Sequence, residues 1–147
     1  GILERFKLDG RVALVTAGSG PQFGSSLTEG LAEAGATVIS AHGLERNEEF
    51  AAGLRERGLD VHAAQVDITD VDSIHALRDS LLANHGRLDI LVNSALARDG
   101  HAGAFDEQTP EMIGRSAAGD FTGLFTICQA FLPTMVEQGR GDRKSTR

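Results

Sequence analysis

The sequence predicts an α/β protein with a doubly wound parallel sheet, that is, a sheet with helices on both faces. Four short apolar runs alternate along the chain with longer amphipathic segments. This β-α-β-α-β-α-β alternation, with short connections, favours parallel strands joined by right-handed crossovers. In addition, the first apolar run leads into a glycine-rich turn and directly into a predicted helix, which is an arrangement that binds phosphate groups.

The first strand and helix are predicted from an apolar run and a helical spacing. Residues 12–15 are an unbroken apolar run of the kind that a parallel sheet buries on both faces. The first helix is predicted over residues 23–34. Leu27 and Leu31 lie one turn apart, so we expect both to face the sheet, and Gly35 is expected to end the helix.

The second strand, the second helix and the third strand follow in the same way. Residues 36–41 form the second predicted strand, and a polar turn leads from it into the second helix. Phe50 and Leu54 supply the apolar face of this helix, and Gly58 is predicted to end it. The third strand is predicted over residues 59–66.

The third helix begins at a predicted cap and ends at a glycine. Thr69 is the predicted N-cap, because Asp72 follows it at the spacing of a capping box. Three residues at helical spacing form the buried stripe of this helix: Ile74, Leu77 and Leu81. Gly86 is predicted to end the helix, and residues 88–92 are the fourth strand.

The last part of the chain is predicted to be a loop and a long helical region. Residues 95–108 are polar and glycine-rich, and we expect a loop there, at the ligand-binding edge of the sheet. Thr109 caps the next helix, with Pro110 at its first position. Two apolar stripes follow, one of Phe121, Phe125, Cys128 and Leu132, the other of Leu124, Ile127, Phe131 and Met135. We expect one stripe to meet the sheet and the other to meet a partner subunit or a part of the domain outside this chain.

Composition indicates one domain and argues against several classes of partner. The chain has 147 residues, with 14 Lys and Arg against 21 Asp and Glu, and its formal charge is −7. Such a length buries a core without disulfides or metals, and the acidic balance argues against nucleic-acid binding. Cys128 is the single cysteine, so we expect neither an internal disulfide nor a metal site.

The distribution of apolar residues argues against a membrane partner. No apolar run approaches the roughly 20 residues of a membrane-spanning helix. The first residues, from Gly1 to Arg5, lack the apolar region of a signal peptide. We therefore expect a soluble protein of the cytoplasm.

The glycine-rich turn after the first strand is the strongest local signal. It reads Gly18, Ser19, Gly20, Pro21, Gln22, Phe23 and Gly24. Its spacing, G-x-G-x-x-x-G, is one residue longer than the G-x-G-x-x-G fingerprint of dinucleotide-binding folds. Glycines permit backbone angles that side chains forbid, and they let N–H groups approach a pyrophosphate at the helix N-terminus. A tight turn without a ligand is the alternative interpretation.

Four partial motifs appear in the order and spacing of one family. They are residues 16–24, 67–69, 93–96 and 120–123. In these segments the chain resembles the short-chain dehydrogenase/reductase family, whose motifs are T-G-x-x-x-G-x-G, D-[VI]-T, N-N-A-G and N-x-x-G. The resemblance covers residues 8–141. It implies a Rossmann-like domain with strand order 3-2-1-4 and an oxidoreductase that uses NADP or NAD.

Three of the four motifs also depart from the family pattern. Gln22 stands where the family has the middle glycine of its turn, and one extra residue lies between Thr16 and Gly18. Leu96 replaces the last glycine of N-N-A-G, where a side chain is expected to crowd the nicotinamide-side ribose. Asp120 replaces the asparagine of the family's catalytic set, so an anion stands in place of a neutral amide.

The family's catalytic tyrosine has no counterpart in this chain. The resemblance implies a strand ending in Ser, followed by Y-x-x-x-K, in which the tyrosine is the acid/base. The sequence contains no tyrosine, and residues 142–147 are a charged segment that we expect to be a disordered tail after a single, incomplete domain of residues 1–141. We therefore predict no catalytic residues in this chain.

The resemblance assigns several residues to a dinucleotide. Asp67, with Ile68, is either the contact of the adenine amino group or a solvated residue at a strand end. His42 stands where an acid would bind the ribose hydroxyls of NAD, and Arg46 is either a ligand of a 2′-phosphate or an ordinary arginine at a helix start. The predicted floor of the cofactor site is formed by Asn93, Ser94 and Ala95.

Two hypotheses about function remain open at this point. The first is the NADP-binding part of a short-chain oxidoreductase that lacks the Ser, Tyr and Lys of catalysis and is inactive as an isolated chain. The second is a non-catalytic nucleotide-sensing or interaction subunit with the same fold. For both hypotheses we expect a homo-oligomer, because the second apolar stripe of the last helix needs cover.

Overall fold

A four-stranded parallel sheet forms the centre of the molecule. The computed structural model describes residues 1–43, 45–97 and 103–139. In these ranges the strands are β1 (Val12–Thr16), β2 (Thr37–Ala41), β3 (Val61–Ala64) and β4 (Ile90–Asn93). Their order in the sheet is β3-β2-β1-β4, which confirms the predicted order. Because β1 lies between β2 and β4, the topological switch point of the sheet is at the end of β1.

Helices follow each strand. The α-helices are α1 (Gly24–Glu33), α2 (Asn47–Glu56), α3 (Val71–His85), α4 (Pro110–Ser116) and α5 (Leu124–Glu137). A π-helical turn, Ala117–Gly123, joins α4 to α5, and short 3₁₀ helices cover Ile2–Phe6 and Phe105–Glu107. None of the helices in the described ranges is long and apolar enough to cross a membrane. The predicted charged tail, residues 142–147, and part of the predicted loop, residues 98–102, lie outside the described residues.

The sheet has an apolar core on each face, as a doubly wound fold requires. Leu14 and Ile39 point into one core, which is covered by α3 and α5 and contains the fully buried Phe131. Val15 and Val38 point into the other core, which is covered by α1 and α2. This alternation along β1 and β2 results from the two-residue period of a strand, and it buries β1 on both sides.

The register brings the carboxyl ends of three strands together. Thr16 pairs with Ala41 of β2 and with Asn93 of β4. The residues that follow β1, β2 and β4 therefore begin at the same edge of the sheet. This edge is where the sequence predicts the ligand.

The predicted apolar face of α1 is partly wrong. Leu27 is 40% exposed, and the buried residues of this helix are Gly24, Thr28 and Ala32. Small residues face the sheet because α1 lies close against the glycine-rich turn, where Thr28 Oγ1 donates to the carbonyl of Gly18 at 2.8 Å. Leu31 is partly buried against the second core, as expected.

The predicted cap of α3 is wrong by one residue. The N-cap is Asp70, whose carboxylate accepts from the N–H of Asp72 at 2.9 Å. Thr69 does not act as the cap because its hydroxyl and its N–H both bind the carboxylate of Asp67. Gly86 ends the helix as predicted, in the left-handed conformation at φ 70°.

Two strands differ from their predicted bounds because sheet partners, not apolar runs, define a strand. β3 pairs with β2 only over Val61–Ala64, which is shorter than the predicted residues 59–66. β4 begins at Ile90 instead of residue 88. Leu88 is nevertheless fully buried, and its main-chain N–H and carbonyl bind the side chain of Gln138 at 3.0 and 2.8 Å.

Candidate functional site

The turn after β1 begins with an alanine in a strained conformation. Ala17 has φ 53°, in the left-handed region that favours glycine. Its N–H donates to the carbonyl of Ala41 at 2.7 Å, and its own carbonyl accepts from the N–H of Gly20 at 2.8 Å. Ala17 is the extra residue between Thr16 and Gly18, by which this turn is longer than the motif T-G-x-x-x-G-x-G. The chain accommodates this extra residue directly at the end of the strand. Sequence reasoning missed its role, because alanine gives no signal for such a turn.

Two glycines of the turn are required by close packing within the protein. A Cβ at Gly24 would lie 1.8 Å from the carbonyl oxygen of Ala17, and a Cβ at Gly18 would lie 2.6 Å from Ser40 Oγ. These contacts bring the start of α1 against the end of β1. Protein packing therefore explains both glycines, and it also places the N-terminus of α1 beside the turn, where Gln22 and Phe23 are exposed.

A side-chain hydrogen bond connects the turn after β1 to the end of β2. Ser19 Oγ and His42 Nδ1 are 2.8 Å apart, and both residues are half-buried. The two residues follow neighbouring strands, β1 and β2, and they were assigned separately to the same ligand in the sequence analysis. The structure brings them into direct contact.

The start of α2 is fixed by a buried asparagine that sequence reasoning did not single out. Asn47 is 4% exposed, and its amide donates to the carbonyls of Ser40 and Ala64 at 2.8 and 2.9 Å. Its side-chain oxygen accepts from Ser40 Oγ at 2.7 Å. The neighbouring Arg46 is exposed. Asn47 thus holds the polar turn that carries Arg46 against the ends of β2 and β3.

Asp67 lies beyond the end of β3 in a tight local turn. Its carboxylate accepts from Thr69 Oγ1 at 2.6 Å and from the N–H of Thr69 at 2.9 Å. These two hydrogen bonds hold the pKa of Asp67 below its usual range, so the side chain is an anion at neutral pH. A Cβ at Gly123 of the π-helical turn would lie 2.3 Å from the carbonyl oxygen of the next residue, Ile68. The π-helical turn therefore packs closely against this segment.

Thr16 organises the segment after β4. Its buried Oγ1 accepts from the N–H groups of Ser94 and Ala95 at 3.1 and 3.2 Å. Ser94 Oγ donates in turn to the carbonyl of Thr16. Asn93 is exposed, with its amide nitrogen 3.7 Å from Cys128 Sγ. Sequence reasoning used Thr16 only as the start of a motif, although its hydroxyl positions the predicted floor of the site.

The π-helical turn presents Asp120 to the same segment. Asp120 Oδ1 accepts from the N–H of Ala97 at 2.5 Å, and a Cβ at Gly119 would lie 2.4 Å from the Cβ of Ala97. The helix and the segment after β4 therefore touch. Turns of π-helix are frequent at functional sites. Leu96, which was expected to crowd a ribose, is 54% exposed.

These observations define one candidate site at the carboxyl edge of the sheet. The turn after β1, His42 after β2 and residues 93–95 after β4 converge at the switch point, and Asp67 lies on the side of β3. The groups offered are main-chain N–H groups, an imidazole, hydroxyls, an amide and a carboxylate. In the described ranges, no cluster of His, Cys, Asp and Glu has the arrangement of a metal site.

The comparison with known proteins agrees with the family that the sequence motifs indicate. The family model of the short chain dehydrogenases matches residues 11–142. Galactitol 2-dehydrogenase of Rhizobium johnstonii is 35% identical over 138 residues, covering 94% of this chain and 53% of that protein. Carbonyl reductase [NADPH] 1 of Mus musculus is 36% identical over 133 residues, covering 88% of this chain and 46% of that protein.

Solved structures give the same result. A gluconate 5-dehydrogenase from Burkholderia cenocepacia, in complex with NADP and tartrate, superposes with a TM-score of 0.83 at 33% identity, covering 96% of this chain and 55% of that one. A metagenomic short-chain oxidoreductase in complex with NADP has a TM-score of 0.77 at 26% identity, covering 91% of this chain and 60% of that one. The chain spans about half the length of the curated relatives it matches.

Proposed function

Since the chain belongs to the short chain dehydrogenase family, we propose that it forms the NADP-binding part of an oxidoreductase. The observation that carries this proposal is the convergence of the turns after β1, β2 and β4 at the switch point of the sheet. Open α/β sheets bind their ligands in this crevice. Several relatives and structural neighbours have NADPH or NADP in their names.

The donor set at the edge fits a dinucleotide. The pyrophosphate would lie on the turn and the N-terminus of α1, a region formed by Gly18, Ser19, Gly20, Gln22, Phe23 and Gly24. The carboxylate of Asp67, next to Ile68, suits the adenine amino group. The nicotinamide end would lie over Asn93, Ser94 and Ala95, which Thr16 holds in place.

NADP is the proposed cofactor, with NAD as the weaker ligand. NAD-binding sites of this type place a carboxylate on the ribose hydroxyls at the end of β2. Here that position is His42, and the exposed Arg46 is available on the following turn. A guanidinium forms charge-assisted hydrogen bonds with a 2′-phosphate, and its interaction with the 2′-hydroxyl of NAD is much weaker.

The residues of this chain support binding more than catalysis. When bound, the nicotinamide supplies or accepts a hydride, and the reaction also needs a group that moves a proton. The 147 residues contain no tyrosine, and Asp120 stands where the family has its asparagine. The replacement of the asparagine by Asp120 also favours a second candidate function, a non-catalytic nucleotide-sensing or interaction subunit.

Calorimetric titration of the chain with NADP⁺ and NAD⁺ tests the proposal. We expect saturable binding of both nucleotides, with NADP⁺ the tighter ligand. Asp67→Ala should weaken both by roughly tenfold, the usual effect of losing a charged hydrogen-bond partner. Asp79→Ala, which removes an exposed carboxylate of α3 paired with Arg78, is the matched control and should leave both affinities unchanged. Failure of the chain to bind either nucleotide would overturn the proposal.

A further inference from the structure

A cavity outside the candidate site lies between strand β3, at the edge of the sheet, and helix α3. Its volume is about 310 Å³, and part of its apolar lining belongs to the core under α3: Ile39, Ala64, Leu77 and Leu81. The polar groups of the lining are His62 on β3 and three side chains of α3, those of Ser80, Asn84 and His85. A concave, mainly apolar surface with a few polar groups is the usual form of a small-molecule site.

Two imidazoles meet at this cavity. The ring centroids of His62 and His85 are 5.3 Å apart, and the ring planes are inclined by 56°. His62 Nε2 lies 2.7 Å from Asp60 Oδ1. The rings come from β3 and α3, so the packing of these two elements holds them together. Because histidine changes its charge between pH 5 and 8, the cavity gains positive charge in this range.

A second positive charge at the two rings needs a further anion. Among the described residues, Asp60 is the carboxylate that acts on His85, and Asp60 is already bound by His62 and by Thr37 Oγ1. Burial and the neighbouring His62 lower the pKa of His85, and the attraction of Asp60 does not outweigh them. His85 is therefore held in its neutral form in the protein alone.

The other charged side chains of the surrounding elements are bound elsewhere or exposed. The ion pairs among them are Arg55 with Glu48, Arg78 with Asp79, and Arg87 with Asp89. Helix α5 packs against α3, and its single charged residue, Glu137, is exposed. None of these groups lines the cavity, where the ionisable side chains are the two imidazoles.

We propose that this cavity binds a small organic anion, a monocarboxylate with an apolar body, whose carboxylate contacts the two imidazoles. The carboxylate supplies the counter-charge that a protonated His85 lacks, so the ligand binds together with a proton. The apolar body packs on the side chains of Ile39, Leu77 and Leu81. The inference is independent of the proposed function, because no residue of this lining was assigned to the dinucleotide.

Two further hydrogen-bond donors for a carboxylate stand on α3. Asn84 Nδ2 donates to Ser80 Oγ at 3.3 Å. This contact uses one N–H of the amide and leaves the hydroxyl proton of Ser80 to donate to a ligand. Ser80 and Asn84 lie one helical turn apart, so they share the side of α3 that lines the cavity. Hydrogen bonds to a carboxylate are stronger than those between neutral groups.

NMR titrations of the chain with benzoate at pH 6.0, 7.0 and 8.0 test the inference. Benzoate is ionised throughout this range, because carboxyl pKa values lie near 4. Benzyl alcohol has the same ring and no charge, and it is the control ligand. At pH 6.0 we expect benzoate to shift the ring signals of His62 and His85 saturably, and benzyl alcohol to bind roughly tenfold more weakly.

A pair of variants assigns the effect to the imidazole. His85→Asn should weaken benzoate binding at pH 6.0 by roughly tenfold, since it removes the charged partner. His75→Asn is the matched control, because His75 is also in α3 and does not line the cavity. Benzoate affinity should fall about tenfold from pH 6.0 to 8.0 in the wild type and in His75→Asn, as the proton on His85 is lost, and should stay nearly constant in His85→Asn.

A measurement on the wild type makes the test independent of the folding of any variant. If protonation favours benzoate, then benzoate must in turn favour protonation, because linkage is reciprocal. The titration midpoint of the His85 ring, followed by NMR, should therefore rise with benzoate and stay unchanged with benzyl alcohol.

The remaining outcomes overturn the inference. If benzoate shifts neither ring, the cavity is not a ligand site. Equal affinities for benzoate and benzyl alcohol, or a His85 midpoint that benzoate does not raise, would mean that the imidazoles do not recognise an anion. Nucleotide titrations of the same samples keep the two proposals apart, because binding of NADP⁺ without binding of benzoate refutes this inference and leaves the proposed function standing.

Discussion

At the scale of single residues, Gly24 has the strictest requirement in the site. A Cβ at this position would lie 1.8 Å from the carbonyl oxygen of Ala17, whose backbone is already in the left-handed region. We expect Gly24→Ala to lower the free energy of unfolding by about 3 kcal/mol or more, because neither backbone segment can move away freely. Urea denaturation measures this change.

The same helix offers a control for that substitution. Gly30 also lies in α1, and a Cβ there meets nothing within 4 Å. Gly30→Ala should stabilise the protein by roughly 0.5–1 kcal/mol, because alanine has the higher helix propensity. If Gly24→Ala were as well tolerated as Gly30→Ala, the close approach between α1 and β1 described above would be wrong.

Arg46 gives the second prediction at this scale. Arg46→Ala should weaken NADP⁺ binding by roughly 1.5–3 kcal/mol, because a charge-assisted contact to the 2′-phosphate is lost. The affinity for NAD⁺ should not change. Calorimetry with both nucleotides measures the difference, and Arg78→Ala, an exposed arginine of α3 paired with Asp79, is the control. Unchanged NADP⁺ affinity, or a wild type that prefers NAD⁺, would leave Arg46 as an ordinary arginine at a helix start.

At the scale of elements, a buried carboxylate joins the starts of β1 and β4. Asp89 is 7% exposed, accepts from the N–H of Val12 at 2.9 Å and from Arg87 Nε at 2.8 Å, and lies 3.6 Å from Arg11. Burial alone would raise the pKa of Asp89. The Arg87 guanidinium, the Val12 N–H and the Arg11 charge outweigh burial and hold this pKa below its usual range.

This arrangement predicts an acid-sensitive contribution to stability. Because the pKa is lowered in the folded state, the contribution is complete above the unfolded pKa of about 3.9 and is lost as pH falls through the folded value. Asp89→Asn should lower the free energy of unfolding at pH 7 by about 3 kcal/mol, since it leaves a partly buried guanidinium without its anion. The difference between variant and wild type should shrink towards pH 2.

Denaturation at several pH values measures this prediction. Asp79→Asn is the control, because it removes one carboxylate of an exposed ion pair within α3, and such pairs contribute at most about 1 kcal/mol. If Asp89→Asn and Asp79→Asn lower the free energy of unfolding by the same amount at pH 7, the contacts around Asp89 do not stabilise the sheet.

The elements also show what periodicity predicts well and where it fails. The apolar stripe of α3 was predicted in full, and Ile74, Leu77 and Leu81 are all buried. In α1 the larger residue Leu27 was predicted to face the sheet, but close packing against the turn selects Thr28 and Ala32 instead. A hydrophobic pattern records which residues avoid water, and it does not record how closely a helix approaches its neighbour.

The site shows the same limit. The positions of His42 and Asn93 at one edge followed from strand order alone, because parallel strands share their carboxyl edge. The side-chain contacts that fix this edge did not follow from the strand order. Thr16 binds Ser94 and Ala95, 78 and 79 positions away along the chain, and Asn47 binds Ser40 and Ala64, 7 and 17 positions away. Long-range hydrogen bonds such as Thr16 to Ser94 leave no periodic signal in one sequence.

At the scale of the whole molecule, the chain should bind nucleotide without turnover. We expect no measurable oxidation of alcohols or reduction of carbonyl compounds by these 147 residues, because they contain no tyrosine to act as acid/base. Loss of such a group alone lowers rates by roughly 10²–10⁴-fold. Steady-state assays with NADPH and NADP⁺ test this expectation. Turnover that persists through purification and disappears in Asp120→Ala would show that the chain has a different proton-transfer site.

Association is the remaining property of the whole molecule, and two surfaces favour it. In α5 and the π-helical turn before it, the stripe that contains Phe121 and Phe125 does not pack on the sheet, and these two rings are 78% and 62% exposed. The other stripe is largely buried, with Phe131 inaccessible and Leu124 at 42%. In addition, β4 pairs only with β1 among the described residues, so one of its edges has no strand partner there.

Both surfaces predict a homo-oligomer. Burial of an apolar stripe at about 25 cal/mol per Å² favours association by several kcal/mol, and an unpaired strand edge is a template for another chain. Phe121→Glu and Phe125→Glu should therefore shift sedimentation from a dimer or larger assembly to a monomer. Phe131→Glu is unsuitable for this test, because Phe131 is part of the core and its replacement would unfold the protein. Leu27→Glu, on the exposed side of α1, is the control and should not change the assembly. A wild type that sediments as a soluble monomer at high concentration would mean that neither surface is used for self-association.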